Sequence, residues 1–301
     1  MSRPLRIHAP GVPMHAMSRG NNKECLFHDH RDYRMYFDML EEGLERFDVE
    51  CNGFCAMWNH AHLVLTPQEQ PIASLMHQVN SSYCGWFNRR HGRVGHVTQG
   101  RYKGLLIEDG YYFLNATRYI ALNPVAAGLV TDPADWEWSS YADTIGRTHR
   151  WRFLSLDRLW HMLDAEGETD GRERLALFMA AEGPFEYDWS GVIRGGPEFT
   201  ARLRPLVQSH EDNIEFPYAQ RFATRPPLEE LFADSLDVWE MEDAVYLAFA
   251  RHAYTLKAIG AHLGIHPSTV WSWARRSQLR NGSFRSEGPG VRSLFSTKKE
   301  I

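Results

Sequence analysis

Two histidines two residues apart constrain this chain more than any other feature. They stand in Met57-Trp58-Asn59-His60-Ala61-His62-Leu63-Val64-Leu65, at the start of an apolar run. A β-strand repeats every two residues, so His60 and His62 share one face and Ala61 takes the other. Two imidazoles on one face can hold one metal ion. A strand can also carry two incidental histidines, and H-x-H alone does not separate these readings.

The flanking segments set the fold. Met14-His15-Ala16-Met17-Ser18-Arg19 alternates weakly and ends at the turn signal Gly20-Asn21-Asn22, which reads as a strand. Residues 29–47 carry Tyr33, Tyr36, Phe37, Leu40, Leu44 and Phe47 at helical spacing. Residues 50–56 and 61–66 read as strands joined by a short turn at Trp58-Asn59. A second helix spans 71–90, with Ile72, Leu75, Met76, Val79, Tyr83, Trp86 and Phe87 on its apolar side. A fourth strand follows over 102–108, then a third helix over 111–122 that Pro124 is expected to stop. The order β-α-β-β-α-β and then a helix predicts an α+β protein. That order belongs to the ferredoxin-like fold, an antiparallel sheet with helices packed on one face.

The third helix contains Tyr119-Ile120-Ala121-Leu122-Asn123. Tyr119 and Asn123 are four apart and so are neighbours, with Asn115 and Tyr112 on earlier turns of the same side. A tyrosine at the edge of a core, its hydroxyl bonded locally, gives the same pattern.

The net charge of −5 argues against a nucleic-acid binder, but its distribution argues for one. From Gln70 to Ile107 there is no Asp or Glu, while Arg89, Arg90, Arg93, Arg101 and Lys103 interleave with Tyr83, Trp86, Phe87 and Tyr102. Cations that track a phosphate backbone beside aromatics that stack on bases suit single-stranded nucleic acid. Ten acidic residues then fall within 211–245, and nine Lys and Arg within 251–301. Two polyanion-binding modules with an acidic spacer are expected.

Cys51 and Cys55 offer the histidines a rival role in a Cys₂His₂ zinc site. They fall on one strand face but lie far apart when extended, so convergence needs a bend or bulge. The four cysteines form no disulfide framework, and no secretory signal or membrane span is visible. A cytoplasmic protein with no membrane partner is the expectation.

Taken together, the segments from about residue 11 to residue 141 resemble the single-tyrosine HUH transposases, and among them the REP-associated tyrosine transposases. The resemblance rests on Met17-Ser18-Arg19-Gly20-Asn21, on Asn59-His60-Ala61-His62-Leu63 and on Phe87-Asn88-Arg89-Arg90-His91-Gly92. It continues in Gln99-Gly100-Arg101-Tyr102-Lys103, in Arg118-Tyr119-Ile120-Ala121-Leu122-Asn123-Pro124-Val125 and in Trp138-Ser139-Ser140-Tyr141. Two positions depart from the family pattern, which often has Pro where Trp58 stands and Arg where Ala126 stands.

The resemblance implies the HUH transposase fold over 11–145 and a divalent metal, Mg²⁺ or Mn²⁺, held by His60, His62 and Asn123. Tyr119 would be the nucleophile, cutting and rejoining single-stranded or hairpin DNA through a 5′-phosphotyrosine. A phenol is protonated at neutral pH and needs activation by the metal or by a base. Arg19, Tyr83, Arg89, Arg90, Arg93, Arg101 and Lys103 would contact DNA. Relatives use the tyrosine of their own chain or of a partner, so a homodimer is compatible.

Residues 146–235 read as a helical linker region without chemistry. An all-α segment over 236–280 resembles a helix-turn-helix. Thr255 to Leu263 forms a short helix ended by Gly264, and Pro267 then starts a second. Ser268, Thr269 and Ser272 would face the major groove of duplex DNA, and Arg275 and Arg276 the phosphates. Residues 281–301, rich in Gly, Ser and Lys, are expected to be a disordered tail. Two other functions fit the same residues: a non-catalytic DNA-binding regulator on this fold, and a tyrosine nuclease serving replication or conjugation.

Overall fold

The computed structural model describes residues 7–180, 191–208, 222–232, 236–250 and 252–280. His8–Thr200 form one compact unit, and the helices beyond Ala201 belong to a second. No helix among the described residues is long and apolar enough to cross a membrane.

The first unit is built on strands β1 (Met14–Arg19), β2 (Val49–Met57), β3 (His60–Pro67), β4 (Lys103–Ile107) and β5 (Ile193–Arg194). They lie in the order β2-β3-β1-β4-β5. The first four pair antiparallel, with β1 between β3 and β4, which is the ferredoxin-like arrangement expected from the element order. The two-residue β5 joins β4 in parallel and makes the sheet mixed.

Helices α1 (His30–Phe47) and α2 (Ile72–His91) cover one sheet face. The side chain of Asp29 caps α1 by accepting from the backbone N–H groups of Arg31 and Asp32. Phe37 packs on Phe54 of β2 with ring centroids 4.6 Å apart. Gly43 lets the two helices approach, because a Cβ there would stand 2.6 Å from Leu75 Cδ1.

Helix α3 (Tyr111–Ala126) covers the opposite face. There Phe113, Ala116 and Ile120 bury against Cys55, Val64 and Ile107. Leu159, Trp160 and Leu175 complete that core, from α5 (Asp157–Met162) and α6 (Glu168–Ala180), which follow the short α4 (Tyr141–Thr144). Helices α5 and α6, which fall in the 146–235 segment read from sequence as a helical linker, therefore pack into the first unit. Arg158 ties this layer to the sheet: it donates to the Asp109 carboxylate at 2.6 Å and to the Gly11 carbonyl at 3.0 Å.

The Trp138-Ser139-Ser140-Tyr141 segment caps the edge of β2. Ala56 N–H donates to the Trp138 carbonyl at 2.8 Å, and Phe54 N–H donates to Ser140 Oγ at 3.0 Å. An otherwise open strand edge is thereby satisfied.

Two local expectations change. Pro124 does not stop the third helix, which continues to Ala126. The proline lies in the last turn, with only Val125 and Ala126 after it, so Asn123 remains helical. The bulge that a zinc site required does exist, but it has the opposite effect. Cys51 pairs with Leu65 and Gly53 pairs with Val64, so the strand gains one residue between them. Cys51 thus shares the Leu65 face, while Cys55 shares the His62 face. Burial pushes the Cys51 thiol up to about 12 and raises that of Cys55, as expected of inert core thiols.

Gly20 closes β1 against the histidine segment. Its N–H donates to the Asn59 carbonyl at 2.8 Å, and a Cβ there would overlap the Glu24 carbonyl oxygen. The obstacle is backbone, which cannot rotate away as a side chain would. Gly20→Ala is expected to destabilise the first unit by about 2 kcal/mol or more, lowering its thermal midpoint by about 4–8 °C. An unchanged melt would contradict this packing.

The second unit is all helical where described. It follows α7 (Pro197–Gln208) and comprises α8 (Leu228–Leu231), α9 (Val238–Ala250), α10 (Leu256–Leu263) and α11 (Pro267–Arg280). Its core is Val245, Ala248, Ile259, Val270 and Ala274. Thr255 caps α10 through Ala258 N–H, and Gly264 ends it with φ at 67°. Gly260 admits the turn: a Cβ there would lie 2.7 Å from the Ile265 carbonyl oxygen. The tail over 281–301 and part of the presumed linker lie outside the described residues.

Candidate active site

Register places the polar residues of β1 and β3 together. Arg19 pairs with His60, Met17 with His62 and His15 with Val64, so these side chains rise from the α3 face. His60 and His62 meet with ring centroids 4.8 Å apart and nearly perpendicular planes. His15 comes from the neighbouring strand, and its Nε2 lies 2.9 Å from His62 Nδ1. Outside the strand pair, His60 Nδ1 lies 2.6 Å from the side-chain oxygen of Asn59.

Helix α3 lays Tyr119 and Asn123 over this cluster. The Tyr119 ring lies 5.6 Å from His62 and 6.0 Å from His15, centroid to centroid. The Asn123 side chain hydrogen-bonds to His60 and, at 3.5 Å, donates to the Tyr119 carbonyl. Their spacing of one helical turn does what the sequence pattern suggested. The other two polar positions stay out: Asn115 donates to the Tyr111 carbonyl at 2.7 Å, and Tyr112 packs against the core of this face.

Burial governs the protonation of the three imidazoles. Desolvation lowers His15 to about 3 and His60 to about 4, the latter helped by the Arg19 charge and opposed by Asn123. It also carries His62 well below its ordinary value, with His15, His60 and Arg19 adding repulsion. All three rings are therefore neutral at neutral pH, the state in which imidazole donates a lone pair. Among the described residues no three His, Cys, Asp or Glu side chains are grouped to hold a metal. Two imidazoles alone can do so only with another donor type, and the Asn123 amide is in place beside His60.

Residues 9–121 match the family model described as "Transposase IS200 like". This segment is similar to the IS200-like transposases. A solved structure of a REP-associated tyrosine transposase bound to a REP hairpin is 19% identical to the chain, with a TM-score of 0.42. That alignment covers 52% of this chain and 90% of the other. No curated protein sequence matches.

The basic residues of the first unit divide into two groups. Arg19 and Lys103 share the histidines' face on the β1 side of β3: Arg19 pairs with His60, and Lys103 pairs with Met17, which pairs with His62, so the last three form one row across β4, β1 and β3. Lys103 is exposed, and Arg19 Nε is buried without a hydrogen-bond partner. Arg89 is exposed on α2, and Arg101 half-buried before β4.

Arg90 and Arg93 are paired with acids. Arg90 binds both Asp29 carboxylate oxygens, at 2.6 and 2.8 Å, and Asp32, and its guanidinium lies over Trp86. Arg93 meets Glu24 at 2.7 Å. The acid-free stretch thus finds its acids from the start of α1 and the turn before it. Tyr83 is a core residue whose hydroxyl donates to the Leu26 carbonyl at 2.6 Å.

In the second unit, Ser268, Ser272 and Arg275 are exposed and Thr269 half-exposed on α11. Ser268 Oγ lies 2.7 Å from His266 Nδ1, and Ser272 Oγ donates to the Ser268 carbonyl. Arg276 is turned toward α9, where its Nε lies 2.6 Å from the buried Glu242, which Arg280 also binds at 2.9 Å.

His15 and Asn59 are the site residues that the sequence reading did not assign. The alternation of β1 already set His15 on the Arg19 face. The missing signal was which strand lies beside it.

Proposed function

We propose that the transposase domain cleaves and rejoins single-stranded or hairpin DNA with Tyr119 as nucleophile and a divalent metal, Mg²⁺ or Mn²⁺, as cofactor. The observation that carries this reading is the convergence of Tyr119, Asn123, His60 and His62 from a helix and a strand that have no other reason to concentrate polar groups. The donors fit such a cation: two neutral imidazoles and an amide oxygen, a set that suits Mn²⁺ better than the all-oxygen surroundings Mg²⁺ prefers.

When bound, the metal would polarise the scissile phosphate and offset its developing charge. His60, His62 and Asn123 would hold it. Tyr119 Oη attacks phosphorus and forms the phosphotyrosine bond while the P–O3′ bond breaks, releasing a 3′-hydroxyl. That hydroxyl can attack the same phosphorus later, so strands rejoin without an external energy source. Arg19, beside His60 on β1, and Lys103, in the His62 row on β4, supply positive charge to the phosphates, and Arg89 and Arg101 extend it along the strand. The exposed face of α11 adds duplex contacts through Ser268, Thr269, Ser272 and Arg275, in the manner of a helix-turn-helix.

The test is a denaturing gel of the full chain with labelled hairpin oligonucleotides drawn from sequence flanking its gene. A covalent protein–DNA band is expected with Mn²⁺ and not with EDTA. Binding without any adduct, across the whole pool and with both metals, would refute the nuclease reading and favour a DNA-binding regulator.

A further inference from the structure

Both histidines of the H-x-H pair are engaged at the same ring nitrogen. His60 Nδ1 lies 2.6 Å from Asn59 Oδ1, and His62 Nδ1 lies 2.9 Å from His15 Nε2. The two partners come from different places, one from the β2–β3 turn and one from β1, yet both engage Nδ1.

The Asn59 contact has a definite polarity. Its amide nitrogen donates to the Lys23 carbonyl at 3.2 Å. Flipping the amide would set two oxygens against each other, so Oδ1 faces His60 and can only accept. His60 Nδ1 therefore carries the proton. For His62 two polarities satisfy the hydrogen bond. Only one leaves Nε2 with a lone pair: His62 Nδ1 donates, and His15 Nε2 accepts.

We propose that Asn59 and His15 are positioning residues that fix His60 and His62 in the Nδ1–H tautomer, presenting both Nε2 lone pairs to one ligand. This rests on the metal-dependent reading of the same site. Ligating histidines usually donate their second N–H to a carboxylate, a backbone carbonyl or water. Here the acceptors are an amide and a neutral imidazole, which orient the rings without adding negative charge beside a phosphate site. A buried carboxylate in the place of His15 would hold a cation more tightly but would repel the DNA backbone. His15 also packs edge-on to Tyr119, so it fixes a ligand ring and borders the nucleophile at once.

The experiment uses the full chain labelled with ¹⁵N-histidine, free of metal. Long-range ¹H–¹⁵N correlation spectra should show His60 and His62 both protonated at Nδ1. A His62 protonated at Nε2 in the wild type would overturn the proposal without recourse to any variant. Calorimetry with Mn²⁺ forms the second arm. His15→Leu and Asn59→Leu remove the acceptors and are expected to weaken Mn²⁺ binding by about 10- to 100-fold. His15→Gln and Asn59→Asp retain an acceptor oxygen and should restore most of it. Leucine variants that bind Mn²⁺ as tightly as wild type would defeat the positioning role while leaving the metal reading intact. A wild type with the expected tautomers but no Mn²⁺ binding would do the reverse. Asn59 lies in a turn, so its variant remains informative if the buried His15→Leu does not fold.

Discussion

Tyr119→Phe should yield a protein that folds and binds DNA but forms no covalent adduct. The ring is what packs: it lies 5.6 Å from His62 and 6.0 Å from His15 and borders the core of the α3 face. Phenylalanine keeps that ring and removes only the oxygen that would bond to phosphorus. Adduct formation should fall by at least about 10³-fold, the scale of loss when a nucleophile is deleted. DNA affinity, measured with the same oligonucleotide, should change by less than about 3-fold, because phosphate contacts supply most of it. A persistent adduct in the variant would exclude Tyr119. The remaining tyrosines of the helix would then be tested singly. Tyr111 is 73% exposed at the start of α3, two turns before Tyr119, and Tyr112 packs on the core.

The fold was legible because each element carried its own period. Apolar spacing in 29–47 and 71–90 gave helices, and the turn at Trp58-Asn59 gave a hairpin. The pair Tyr119 and Asn123 was legible for the same reason, since four residues make one helical turn. What was hidden depended on pairing between distant segments. His15 gains meaning only because β1 lies against β3. Arg90 looked like a free cation because its acids, Asp29 and Asp32, sit about sixty residues earlier. Cys51 and Cys55 looked like face-mates because a bulge, marked in the sequence only by Gly53 within the strand, adds a residue between them. Residues 157–180 looked like part of a linker because Leu159, Trp160 and Leu175 bury in one core with Phe113 and Ile120 of α3, a partner far away in sequence. Each miss is a tertiary contact that overrode a correct local reading.

Deleting either histidine of the pair is expected to abolish metal binding, but the two deletions should differ in stability. His60 is half-buried, and its Nδ1 partner Asn59 sits in a turn where water can replace the lost ring. His60→Ala should therefore cost less than about 1 kcal/mol, as most substitutions outside a core do. His62 is 2% exposed and is bonded to the fully buried His15. His62→Ala removes that partner and opens a cavity beside Tyr119. A buried polar atom deprived of its hydrogen bond costs about 1–3 kcal/mol, and the cavity adds to it. The two effects separate in one thermal-shift series. Mn²⁺ at about 100 times its Kd should stabilise the wild type by about 2.7 kcal/mol, because it binds only the folded state. Both variants should lose that metal-dependent shift. Without metal, His60→Ala should melt near the wild type and His62→Ala clearly below it. A full Mn²⁺ shift in His60→Ala would place the cation away from this pair. Equal melting of the two variants without metal would contradict the buried His15–His62 hydrogen bond, since that bond is what makes His62 more than a ligand.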